Sequence, residues 1–218
     1  MWKAGAASER SFGRVAGVTV SDFSILTVCS GNICRSPMAE QLLRTGLAQH
    51  EGIRVSSAGT VGLIGHPMDA QAAALAAQLG VTDTGSHIAR ELDAPIVGDA
   101  QLVFAMAREH RRAVVELEPR AARRTFTIRE FARIVTEITD DDLAEVAALP
   151  ATDAPARLSA AVAVVASMRG MVDRPASPED DDVIDPYRRT ADVYERSASE
   201  LRPAVNAVVA FTHRVLSL

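Results

Sequence analysis

The chain has 218 residues, 48% hydrophobic and 23% charged, which suits one globular domain with a core of its own. A net charge of −5 argues against a general nucleic-acid binder. Two cysteines are too few for a disulfide framework, and the longest apolar stretch, Leu158 to Met168, is too short to span a bilayer.

Residues 1–22 are rich in Gly, Ala and Ser, carry Lys3, Arg10 and Arg14, and lack the apolar centre of a secretory signal. They read as a flexible tail before a single domain over 23–218. Phe23 to Val28 reads as a buried strand. Ser36 and Pro37 suit the N-cap and first position of a helix that ends near His50–Gly52. Ile53 to Ser57 alternates as a strand does, and Ala58-Gly59-Thr60 turns it into a loop, Val61 to Asp69. Asp69 suits the cap of a helix from Ala70 to Leu79, stopped by Gly80.

His87 to Leu92 reads as a short turn or helix, and Gln101 to Met106 as a third strand. Arg108 to Leu117 is helical up to Pro119, and Thr125 to Thr127 is a short fourth strand. Ile128 to Ile138 sets Ile128, Phe131, Ile134, Val135 and Ile138 on one helical face. Residues 139–176 differ in character. Asp140 to Asp142 suit the cap of a helix ending near Leu149-Pro150. A second helix, Ala156 to Met168, carries Leu158, Val162, Val165 and Met168 on one face, with a strand as the alternative that its Val content leaves open. A loop with Pro175, Pro178 and Glu179 to Asp182 follows, then a last helix, Thr190 to Leu216, with Pro203 as a potential kink.

Strands and helices therefore alternate. The fold class expected is α/β: three layers, a four-stranded parallel sheet with helices on both faces, and a helical insertion near 139–176. Ligands of such sheets bind beyond the carboxyl ends of the strands, where residues 29–37 fall. Charge is uneven. Arg108 to Arg133 holds eight Arg and four Glu, and Glu137 to Glu200 holds fifteen acids and six Arg; such runs read as solvated surface.

The stretch Cys29-Ser30-Gly31-Asn32-Ile33-Cys34-Arg35-Ser36-Pro37 carries the chemistry. A loop between a strand and a helix N-terminus turns backbone N–H groups toward one centre, which favours an anion. Cys29 opens the loop and Arg35 closes it. A thiolate is the reactive form of Cys, and cations and converging amides favour it. Arg35 suits a two-pronged grip on phosphate oxygens. Breaking a phosphate ester also needs a proton for the leaving oxygen. From position alone Asp180, Asp181, Asp182 and Asp185 all qualify; Pro186 stiffens the loop at Asp185.

The pattern Cys-x5-Arg-Ser, with Asp185-Pro186-Tyr187 before a final helix, resembles the low-molecular-weight protein tyrosine phosphatases. Ser57-Ala58-Gly59-Thr60 and His87-Ile88-Ala89-Arg90 match further segments of that family, and the likeness covers about 23–138 and 182–217. The resemblance implies a metal-independent phosphatase with no cofactor. Cys29 would be the nucleophile, Arg35 the phosphate clamp, and Asp185 first the acid and then the base. Ser30, Gly31, Asn32, Ile33 and Cys34 would line the phosphate cradle. Ser36 would hydrogen-bond the thiolate. Asn32 would brace the loop, with Ser57 and His87 behind it. Tyr187 would form one wall of the pocket.

Leu63 and Ile64 stand where many eukaryotic members have an aromatic residue, and are similar to bacterial members that act on tyrosine autokinases. The implied partners are tyrosine-phosphorylated proteins, among them a bacterial tyrosine kinase, and phosphate or another oxyanion, with no nucleic acid and no membrane. Cys34 would either form a reversible disulfide with Cys29 or pack under the loop. His50, His66, His110 and His213 lack metal-ligand spacing and read as surface residues. The segment 139–176 exceeds compact members; covering the pocket, building a homodimer, selecting a partner and inert elaboration all remain open for it. A reactive Cys suits the reducing cytoplasm.

Arsenate reductases related to this family share the loop and sheet. Versions that draw on thioredoxin need cysteines after Cys34, and there are none; versions that use a small-thiol cofactor remain the alternative. Those have no use for an acid such as Asp185. A non-catalytic phosphotyrosine-binding module is disfavoured because Cys29, Arg35 and Asp185 are all present.

Overall fold

Four short strands carry the site. In the computed structural model, which describes residues 22–218, they are β1 (Phe23–Cys29), β2 (Ile53–Gly59), β3 (Leu102–Ala105) and β4 (Thr125–Thr127). All pair in parallel in the order β2-β1-β3-β4. The register sets Cys29 opposite Gly59 and Val28 opposite Ala105, so the carboxyl ends of the three strands lie side by side. The expected tail over 1–22 lies outside the described residues except for Asp22, which pairs with Arg54.

Helices cover both faces. They are α1 (Arg35–Gly46), α2 (Ala70–Gln78), α3 (Ala94–Gly98), α4 (Arg108–Leu117), α5 (Ile128–Val135), α6 (Ala144–Ala147), α7 (Ala154–Met168) and α8 (Ala191–Ser217). Successive residues of β1 point to opposite faces. Phe23, Ile25 and Cys29 join a large core with α1, α2, α5, α7 and α8. Leu26 and Val28 join a smaller one with Val97 of α3, Val114 of α4 and Ala121. The result is the expected three-layer α/β fold. Phe131 of α5 anchors the larger core, meeting Phe104, Phe126 and Phe211 edge-on at 5.0, 5.3 and 5.9 Å. Each such pair contributes about 1 kcal/mol beyond area burial.

Several boundaries differ from expectation for physical reasons. Helix α1 starts at Arg35, one residue before Ser36, because the buried Ser36 hydroxyl lies against the Cys29 sulfur and does not cap. Pro37 still falls in the first turn, where its missing N–H leaves no gap. His87 to Leu92 is neither turn nor helix: the Leu92 N–H donates to Gly59 O at 2.8 Å and the Gly59 N–H to Arg90 O at 3.0 Å, which keeps it extended. Helix α3, absent from the sequence reading, is capped by the Asp93 carboxylate on the Ile96 N–H. Helix α5 ends at Val135, earlier than Ile138, and α6 is shorter than expected because Asp142 bonds Thr139 and Leu143 holds the cap position. Helix α8 runs continuously through Pro203, which faces solvent.

The insertion belongs to the body of the domain. Leu158, Ala161, Val162 and Val165 of α7 enter the large core. Buried Arg157 donates to Leu149 O at 3.1 and 2.7 Å and closes the end of α6. Arg169 pairs with Glu130 at 2.8 Å, donates to Thr125 O at 2.8 Å, and sits 4.1 Å over the Phe126 ring.

Candidate active site

The loop after β1 turns its carbonyls away from its own centre. Cys29 O accepts from the Thr60 N–H, Ser30 O from Val61 N–H, Gly31 O from Leu63 N–H and Ile33 O from Asp69 N–H, all at 2.8–3.0 Å. Asn32 O lies 2.6 Å from His87 Nε2; a carbonyl only accepts, so the imidazole donates. Among the described residues, none of the N–H groups of Ser30 to Cys34 donates to a protein acceptor. Outward carbonyls and free amides make a cradle for an anion. Two glycines permit the close approach of the neighbouring segments. A Cβ on Gly59 would stand 2.4 Å from Ser30 O, and one on Gly62 2.5 Å from Arg90 O.

Asn32 is the bend. Its φ of 56° is left-handed, a conformation that Asn tolerates better than most residues. Its buried amide gives two hydrogen bonds, to Ser36 Oγ at 3.0 Å and Ser57 Oγ at 2.8 Å, and its Oδ1 accepts from the Arg90 N–H at 3.0 Å. Ser57 donates in turn to the buried Glu40 carboxylate. Because Asn32 makes Ser36 Oγ an acceptor, the Ser36 proton is free for Cys29 Sγ, 3.0 Å away; the competing Ala58 carbonyl is at 3.5 Å. A thiolate accepts such a bond better than a thiol does.

Arg35 is 4% exposed. Its Nη1 donates to Val183 O at 3.0 Å, its Nη2 lies 3.1 Å from Asp185 Oδ2, and its Nε is buried with no protein partner. A buried N–H without a partner beside an amide cradle fits an oxyanion. Asp185 is half-exposed, and its other oxygen accepts from the Tyr187 N–H at 3.2 Å. Of the four acids that position alone left open, only Asp185 pairs with Arg35; Asp181 pairs with Arg133 and Asp182 with Arg108. Arg35, Val183 and Asp185 line one side of a cavity of about 520 Å³ that also takes in Arg108, Arg129 and Glu200, while Cys29 and residues 30–34 do not line it. No residue of 139–176 lines it.

Leu63 packs over Gly31, with its Cγ 3.6 Å from where a Cβ would be. Ile64 and Tyr187 are large side chains left open to solvent, 67% and 36% exposed. Cys29 and Cys34 are both free thiols and both buried. Burial pushes the Cys34 thiol well up, and the charges of Asp69, Cys29 and Asp185 add to the shift. Among the described residues no cluster of His, Cys, Asp or Glu is placed to hold a metal ion.

His110 corrects the sequence reading. Taken for a surface residue, it is 2% exposed, and its Nε2 lies 2.9 Å from Ser30 Oγ while Nδ1 has no partner. Burial, then Arg35, pushes its pKa down to about 4 against the opposing pull of Asp185 and Asp182. A signal existed: residues just past β3 must lie beside those just past β1. Glu40 and Arg90 were also missed. Glu40 lies one turn past Ser36 on the inner face of α1, where a charged residue needs a partner.

A family model for the low molecular weight phosphotyrosine protein phosphatases matches residues 24–145. The chain belongs to that family. The Escherichia coli K12 low molecular weight protein-tyrosine-phosphatase Etp is 46% identical over 102 residues, covering 47% of this chain and 66% of that protein. The chain thus spans just under two thirds of the length of that relative. Ptp of Acinetobacter johnsonii is 37% identical over 105 residues, covering 48% and 71%. A protein-arginine-phosphatase of Geobacillus stearothermophilus is 34% identical over 123 residues, covering 56% and 78%. Among solved structures, a low molecular weight protein tyrosine phosphatase from T. tengcongensis aligns with a TM-score of 0.60 at 26% identity, covering 87% of this chain and 99% of that one. The Erwinia amylovora tyrosine phosphatase AmsI aligns with a TM-score of 0.60 at 24% identity, covering 90% and 96%.

Proposed function

We propose that the chain hydrolyses phosphotyrosine on proteins through a phosphocysteine. The observation that carries this reading is the outward-facing set of carbonyls around Cys29, with Asp185 held 3.1 Å from Arg35. The Cys29 thiolate attacks phosphorus, forming the S–P bond as the P–O bond to tyrosine breaks. Asp185 gives its proton to the departing phenolic oxygen. Water then attacks the phosphocysteine, Asp185 takes back a proton, and phosphate and the thiolate are released. The loop amides and Arg35 balance the charge on the equatorial oxygens.

Leu63, Ile64 and Tyr187 are suited to flank the phenyl ring. Ser57 and His87 act through Asn32, and the packing of Cys34 under the loop suits support better than reaction. Relatives named as tyrosine phosphatases support phosphotyrosine as the substrate class, and a bacterial tyrosine kinase remains the candidate partner. Among the described residues no helix is long and apolar enough to cross a membrane, and two free thiols fit a reducing cytoplasm.

The test is turnover of a tyrosine-phosphorylated peptide and p-nitrophenyl phosphate by wild type, Cys29→Ser and Asp185→Asn, with metal chelated. Wild type should turn over both, Cys29→Ser neither, and Asp185→Asn should lose about 10²-fold or more on the peptide. Full activity in Cys29→Ser contradicts the mechanism. Parallel assays with phosphoarginine and with arsenate plus a small thiol cover the two other chemistries; activity confined to either one overturns the substrate assignment.

A further inference from the structure

The basic and acidic runs of the sequence are not both plain solvated surface; they meet along the loop that carries Asp185. Arg108 pairs with Glu179 at 2.9 Å and Asp182 at 3.1 Å, and Arg133 pairs with Asp181 at 3.0 Å while donating to Asp173 O at 2.7 Å. Closer to Asp185 the attachments reach the main chain. Arg129 Nη1 donates to Asp182 O at 2.7 Å, and the Val183 N–H donates to Met106 O at 2.8 Å. Arg35 takes Val183 O at 3.0 Å, and the Ile184 N–H donates to Glu200 Oε2 at 2.8 Å. Glu200 is itself aligned by Arg196, whose Nε donates to Oε1 at 2.8 Å, and it faces Arg129 at 3.9 Å. Asp182, Val183 and Ile184 thus have four consecutive main-chain attachments, and Asp185 is the next residue.

Arg35 belongs to the site, and Met106 is the residue that follows β3. Arg129, from the first turn of α5, and Glu200, from α8, line the same cavity as Arg35 and Asp185, but their hydrogen bonds go to the loop main chain and to no reacting group. Pairs like the exposed Arg108–Glu179 are screened and weak. Glu200 is largely buried and holds a backbone N–H directly, which gives it geometric authority over the loop. We infer that Arg129 and Glu200 are positioning residues that set the Asp185 carboxyl where it can protonate a leaving oxygen. The inference rests on the proposed ester hydrolysis. Proton transfer needs hydrogen-bond reach, so a loop displaced by a fraction of an ångström loses the acid while the nucleophile and cradle stay intact.

That asymmetry makes the test. Phenyl phosphate has a basic leaving group that depends on the acid, whereas dinitrophenyl phosphate leaves as a stable anion without one. Values of kcat/KM are measured on both for wild type, Asp185→Asn, Glu200→Ala, Glu200→Gln and Arg129→Met. Glu200→Ala and Arg129→Met should lose about tenfold or more on phenyl phosphate and stay within about twofold on the dinitro ester. Asp185→Asn should show the same signature, larger. Glu200→Gln, which keeps a carbonyl for the Ile184 N–H, should recover most of the loss. If Glu200→Ala does not fold, Arg129→Met and Glu200→Gln decide: leaving-group selectivity in the first and activity near wild type on both esters in the second support the role. Equal losses on both esters, or none, in Arg129→Met and in Glu200→Ala where it folds, while Asp185→Asn shows the signature, overturn the positioning role alone. No turnover by wild type overturns the phosphatase reading on which it rests.

Discussion

Asn32→Ala tests whether the loop is held in its shape by one side chain. The substitution removes three hydrogen bonds, to Ser36, Ser57 and the Arg90 N–H. At about 1 kcal/mol net for each, that is about 3 kcal/mol. Alanine also dislikes the φ of 56° more than Asn does, which adds about 1 kcal/mol. The expected destabilisation is about 4 kcal/mol, or a fall in Tm of about 12 °C for a domain of this size. Asn32→Gly relieves the backbone but not the lost bonds, and should recover about 1 kcal/mol. Urea denaturation of the three proteins gives these differences, and p-nitrophenyl phosphate turnover should fall in both variants. A change under about 1 kcal/mol for Asn32→Ala, or glycine proving worse than alanine, refutes the reasoning.

The buried His110 makes stability depend on pH. Its pKa of about 4 lies below the ordinary 6.5, so between these values the unfolded chain binds a proton that the folded one does not. Stability therefore drops as pH falls from about 6.5 to 4, by about 3 kcal/mol from this residue, and His110→Gln should flatten that part of the profile in urea melts. An unchanged profile in the variant contradicts the assignment. Gly59→Ala drives a Cβ to 2.4 Å from Ser30 O and should cost about 1–3 kcal/mol together with activity, while Gly98→Ala, with nothing within 4 Å, should be close to neutral. Equal effects at the two positions would remove the close-approach argument. Arg169→Ala frees Glu130 and Thr125 O and should cost about 2 kcal/mol in thermal or urea unfolding while leaving kcat/KM on p-nitrophenyl phosphate unchanged, since the insertion does not line the cavity at Asp185. Loss of activity there without loss of stability would tie the insertion to catalysis.

The parts of the fold that are local in sequence were legible. Asp69 does cap α2, with its carboxylate on the Gln71 N–H at 3.0 Å, and the alternation of strands and helices gave the parallel sheet. The strand–loop–helix arrangement around residues 29–37 was legible for the same reason, since its parts are contiguous. What depends on distant partners was not. Ser36 has the composition of a cap, but the sulfur it faces is placed by β1. His110 looked solitary because its partner, Ser30, reaches it only through the pairing of β1 with β3. His87 to Leu92 has no strong propensity and is kept extended by Gly59. The arginines of α4 and α5 looked like solvated surface because nothing in their own segment shows that the acidic loop returns to them.

The phosphocysteine itself is the most direct measure of the account. Wild type mixed with p-nitrophenyl phosphate, quenched in acid within the first turnovers and digested, should carry one phosphoryl group on the peptide that contains Cys29. No S-linked phosphoryl group should form in Cys29→Ser, and none should move to Cys34. Rapid turnover with no phosphoryl group on Cys29, or an S-linked phosphoryl group in Cys29→Ser, contradicts the account.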